Sequence, residues 1–70
     1  MFIVMEIQVF ADGAMSTPCY SYNDRNKAEA KYHSILSSAA VSNLPTHSAV
    51  LLTADGYFID SKSYTHEVTA

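Results

Sequence analysis

The chain has little with which to staple itself together. Its 70 residues include one cysteine, Cys19, so no disulfide can close within a single copy. Its two glycines, Gly13 and Gly56, each follow an aspartate, which leaves turns and no glycine-rich phosphate loop. Four Lys and Arg stand against seven Asp and Glu, a formal net charge of −3. That is too few cations for a surface that tracks the backbone of duplex nucleic acid. No apolar run approaches the ~20 residues that cross a bilayer, so no membrane partner is expected. The opening MFIVMEIQVF carries Glu6 and Gln8 and lacks a basic start or a cleavage site, so it reads as a strand. With a lone thiol and no secretory signal, the expectation is a cytoplasmic protein.

The same scarcity governs chemistry. Cys19, His33, His47 and His66 are separated by 14, 14 and 19 positions, which matches no compact zinc pattern. No local signature brings Cys19 to an imidazole, and Asp12, Asp24 and Asp55 sit where turn and cap residues belong. No metal, cofactor or catalytic residue is therefore expected, and the chain is read as a binding protein without enzymatic activity. A chain this short hides only ~60% of the surface its unfolded form exposes, so association with a partner is a natural source of extra stability.

What is present is pattern. From Phe2 to Phe10 the side chains alternate, with Ile3, Met5, Ile7 and Val9 on one side and Val4, Glu6, Gln8 and Phe10 on the other. Asp12-Gly13 marks a turn, and STPCYSY returns as a second strand whose Pro18 confines it to an edge. Steps of 100° place Ala28, Tyr32, Ile35, Leu36 and Ala39 on one arc, with Lys27, Lys31, Ser34 and Ser38 opposite. This predicts an amphipathic helix from about Asp24 to Val41, capped by Asn23 or Asp24 and ended by Asn43 in a left-handed stop before Pro45.

HSAVLLTADGYFIDSKSY then reads as a hairpin. A two-residue Asp55-Gly56 loop of type I′ sets Ala54 opposite Tyr57, Leu52 opposite Ile59, Val50 opposite Ser61 and His47 opposite Tyr64. The order is strand, strand, helix, strand, strand: a single α+β domain over residues 1–70, two layers, a mainly antiparallel sheet with one helix packed on one face, and a tail from His66 onward expected to fray. One helix covers one face only. If Val4, Phe10, Leu51, Phe58 and Tyr64 share the uncovered face, they form an apolar patch that a second copy of the chain would cover, so a homo-oligomer is expected.

A polar and aromatic cluster stands out beside this frame. Tyr20 and Tyr22 precede the helix, and Arg25, Lys27 and Lys31, three of the four cations, follow within its first turns, with His33 next. A helix start offers free N–H groups, Arg25 can grip a phosphate, and tyrosines can stack on a base, so these residues are candidate ligands of a small anionic nucleotide. The plain alternative is a solvated helix face with Arg25 paired to Glu29. His47 and Tyr64, opposite each other, would line a pocket at a subunit interface if their face is open.

The segments AEAKYHSIL, AAVSNLPTHSAVLLT and SYTHE, with VMEIQ near the start, cover most of the chain from Val4 to Glu67. In them the chain resembles a set of very short proteins encoded in phages and prophages of Gram-positive bacteria. The resemblance brings no catalytic residues with it. It implies a viral gene product acting in the cytoplasm of a bacterial host. It also implies action by stoichiometric binding, either by sequestering a nucleotide signal of host immunity in a pocket between subunits, or by serving as a protein-binding inhibitor or virion-assembly adaptor.

Overall fold

The computed structural model describes residues 1–66. The order is β1 (Phe2–Val9), β2 (Met15–Ser16), β3 (Cys19–Tyr22), α1 (Arg25–Ala40), β4 (Thr46–Thr53) and β5 (Phe58–Thr65). All pairings are antiparallel: β1 lies between β4 and an edge made of β2 and β3 in succession, and β5 forms the other edge beyond β4. The chain is an α+β domain with one helix laid on one side of one sheet.

The second strand is split where Pro18 falls. A proline cannot donate to the ladder, so β2 ends at Ser16 and β3 begins at Cys19, while the Pro18 carbonyl accepts the Glu6 N–H at 2.9 Å across the gap. The helix starts where Asp24 caps it, the carboxylate accepting the Asn26 N–H at 2.9 Å. It ends at Ala40 without the left-handed residue expected at Asn43, since among the described residues only Gly13 and Gly56 have a positive φ. The last carbonyls are satisfied differently. Ala39 accepts the Ser42 N–H at 3.3 Å and the His66 Nε2 at 2.8 Å, an imidazole at the negative end of the helix. His66 also donates its backbone N–H to Pro45 at 3.0 Å, so it is held in place rather than frayed. The rest of the expected tail lies outside the described residues.

Both hairpins turn on the same tripeptide. Ala11-Asp12-Gly13 and Ala54-Asp55-Gly56 each form a three-residue loop: Gly13 and Gly56 donate to the carbonyls of Phe10 and Thr53 at 3.0 Å, and both have φ +89°. Phe10 and Ala14 close one loop, Thr53 and Tyr57 the other. A type I′ turn needs positive φ at both central residues, and Asp55 does not have it. The extra loop residue shifts the start of β5, so Leu52 faces Phe58 instead of Ile59. A bulge between Leu51 and Leu52 then absorbs the shift, and Val50 opposite Ser61 and His47 opposite Tyr64 return as predicted. The bulge also exchanges two side chains: Ile59 packs against the core, and Phe58 turns to the open face with Leu52.

The core lies between α1 and the sheet. Val4, Ala28, Tyr32, Ile35, Ala49 and Leu51 form it, with Phe2, Tyr20, Tyr22, Leu36 and Ile59 packed around its rim. This reverses the assignment of faces. Val4 and Leu51 face each other across β1 and β4, as their alternation requires, but they are 0% and 1% exposed beneath the helix and line no open face. Tyr64 is on this covered side too, in register with His47, so the two line no interface pocket there. Phe10 lies just past β1, at the first loop. The uncovered face belongs to the opposite set: Ile3, Met5, Ile7 and Val9 of β1, Val50 and Leu52 of β4, and Phe58 of β5. Of the five residues expected on the uncovered face, only Phe58 is there.

Candidate functional site

The predicted ligand residues divide between two flanks of the helix. Tyr20 and Tyr22 are on β3, at one edge of the sheet, half-buried against the core rim. Lys31 reaches that flank and holds its Nζ 4.2 Å from the centre of the Tyr20 ring. Arg25 pairs with Glu29 at 3.5 Å on the helix surface, the ordinary i,i+4 arrangement, and Lys27 is exposed. His33 and Tyr64 meet on the other flank. His47 joins neither group, being 4% exposed under the helix end.

On the second flank a groove of about 410 Å³ opens between α1 and β5. The helix contributes Tyr32, His33 and Ser37, and the strand contributes Asp60, Lys62 and Tyr64. The strand residues alternate with Ser61 and Ser63, so three polar or aromatic side chains project from one side of β5 toward the helix. Lys62 Nζ lies 5.2 Å from the centre of the Tyr64 ring, within reach of a cation–π attraction. The rings of Tyr32 and His33 meet edge to face at 5.4 Å. One cation, one carboxylate, an imidazole, a hydroxyl and two phenols thus border a concave surface of small-ligand size.

Tyr32 holds its proton more tightly than an ordinary tyrosine: burial raises its pKa, and the nearby Asp60 and Tyr64 add to the effect. Its phenol therefore stays a hydrogen-bond donor to higher pH. The linkage has a definite sign. A folded-state pKa above the unfolded value of ~10 leaves stability untouched below pH ~10 and removes it as pH rises through the folded value. In phenolate absorbance titrations, the component lost in Tyr32→Phe is expected to titrate above pH ~10. The variant's stability should also fall less steeply there, and a component titrating at or below pH ~10 would contradict the burial of this phenol.

A third arrangement was not foreseen from sequence. His47 sits between Glu6 and Ser42, its Nε2 2.5 Å from Glu6 Oε2 and its Nδ1 3.0 Å from Ser42 Oγ. Gln8 donates to the same Glu6 oxygen at 3.1 Å. The composition, carboxylate, imidazole and hydroxyl, is that of a hydrolase triad. Its setting is the opposite of what such chemistry needs: Ser42 Oγ lies 3.3 Å from the Ala39 carbonyl at the helix C-terminus, where the negative end of the dipole opposes an oxyanion. The arrangement is a tie between sheet and helix end. Its one visible trace in the sequence is Glu6, a carboxylate two positions after Val4 on the same strand face.

Cys19 lies exposed on the edge strand, its Sγ 3.5 Å from the Thr17 carbonyl. Among the described residues no three His, Cys, Asp or Glu side chains gather as a metal site would require, and no helix is long and apolar enough to cross a membrane. No protein-family model, no curated protein and no solved structure matches the chain.

Proposed function

We propose that the chain is a non-catalytic binding protein and that the groove between α1 and β5 takes a small nucleotide. The observation that carries this reading is the pairing of Tyr64 with Lys62 across from Tyr32 and His33. A phenol ring capped by an ammonium offers a base a stacking surface and a phosphate a counter-charge in one place. Asp60 and Ser37 supply an acceptor and a hydroxyl for ribose or base edges. The resemblance to short phage proteins supports the nucleotide class, because such proteins include ones that sequester signalling nucleotides of the host.

The test is calorimetric titration of the purified protein with mononucleotides and cyclic dinucleotides, followed by recovery of the compound. The expected result is binding with the nucleotide returned unchanged. Tyr64→Ala should weaken it by a factor of about 10 to 100, as loss of one stacking surface does, and Lys62→Ala should weaken it as well. Lys31→Ala, on the other flank, is expected to leave it intact. Loss of binding in Lys31→Ala but not in Lys62→Ala would move the site to the Tyr20 flank, and no binding of either class would refute the reading.

A further inference from the structure

Among the described residues, the sheet face away from the helix carries no charged side chain. In register, β1 gives it Ile3, Met5, Ile7 and Val9, and β3 gives it Cys19 and Ser21. The other two strands add Val50, Leu52 and Phe58 at one end and Thr46, Ser48, Ser61, Ser63 and Thr65 at the other. An antiparallel sheet that faces water normally alternates apolar and polar residues along each strand, with the polar set outward. Here β1 is apolar on this side over its whole length. Phe58 is 63% exposed and, at the end of β2, Met15 is 65% exposed.

We infer that this face docks on the same face of a second copy, forming a two-fold helix–sheet–sheet–helix sandwich. Three arguments select a second copy. The first is area. Strands of eight residues at ~3.3 Å each, in four positions at ~4.8 Å, give a footprint of about 500 Å². Counted on both copies, that reaches the ~1,000 Å² lower bound for a specific interface. The second is charge. Each copy carries a net −3, yet the face is neutral, so stacking brings no like charges together; charge depletion is also the mark of an interface centre. The third is self-complementarity. A two-fold axis near the middle of β1 and β4 sets the apolar column against itself, and two twisted sheets stack at ~10 Å with such side chains interdigitated. Both ligand grooves then face outward, so this inference does not depend on the groove being occupied.

Sedimentation of the unmodified chain over a concentration series is the test. The expected mass is twice that of one chain at micromolar concentration. Ile7→Asp should shift the protein to monomer, and Phe58→Ser, which removes a side chain already exposed in the single copy, should raise the dissociation constant at least about 10-fold. Ser34→Asp, on the outer helix surface, should change nothing. If Ile7→Asp fails to fold, Phe58→Ser still decides the matter. A monomer at about 100 µM, or a dimer indifferent to both face substitutions, overturns the inference.

Discussion

Truncating Leu51 to alanine is expected to cost about 3 kcal/mol, within the 2–5 kcal/mol typical of a buried leucine. Leu51 is 1% exposed and is one of the two largest fully buried side chains, facing Val4 on the neighbouring central strand. Domains of this size hold on the order of 4–10 kcal/mol in total, at ~0.05–0.15 kcal/mol per residue. One truncation therefore removes about 30% or more of the whole, and the urea midpoint should fall accordingly with little change in slope. Val41→Ala, at a residue 85% exposed, is the matching control and should stay within ~0.5 kcal/mol. A loss below ~1 kcal/mol for Leu51→Ala would mean that the helix does not cover this residue.

The second large effect is expected at Glu6. Glu6→Leu leaves the His47 imidazole, 4% exposed, without its carboxylate. Removing one partner from a buried polar pair costs more than the pair itself contributes, about 3 kcal/mol where a charge is stranded and ~1–3 kcal/mol otherwise. The consequence should reach the helix end, because His47 also contacts Ser42, which holds the Ala39 carbonyl. Hydrogen exchange of the Ser42 amide, which donates to that carbonyl, should accelerate with the fall in the urea midpoint. Glu6→Leu combined with His47→Phe should recover part of the loss, giving a coupling of at least ~1 kcal/mol in a double-mutant cycle. Additive losses would show that the two side chains do not act as a pair.

The elements were legible because their periods are clear. Alternation placed Val4 and Leu51 on one side, and the 100° arc named every helix residue that the core buries: Ala28, Tyr32, Ile35 and Ala39. Which face the helix covers was not legible. Glu6, Asp60 and Lys62 make the Val4 side the more polar one by composition, yet it is the side the helix covers. In the fold, Glu6 is satisfied by His47, 41 residues away, while Asp60 and Lys62 stand at the rim of the groove. A polar residue whose partner lies on another strand cannot be told from a solvated one by its own strand's pattern.

The hairpin register departs from the expectation only beside the turn, at Leu52–Ile59 and Ala54–Tyr57, and for a local reason. The alanine before each Asp-Gly belongs to the loop, and the repetition of Ala-Asp-Gly at both turns was the available signal. The expected site residues are divided between two flanks of the helix, since closeness in sequence is not closeness on a helix. At 100° per residue Arg25 points away from Lys27 and Lys31, which are four positions apart and share a side, and the cation that reaches the groove is Lys62, from the last strand.

The two borders of the sheet are unequal. On one, the border consists of two short pieces, β2 of two residues and β3 of four; on the other, β5 runs for eight residues and, among the described residues, pairs only with β4. Fibrous growth by strand addition needs two receptive borders on every unit, so that each newcomer leaves a fresh template behind it. A unit whose second border is short and divided offers a newcomer fewer paired positions there than along β5. Short border strands on one side thus favour pairs joined through β5 over longer arrays wherever stray β-pairing occurs.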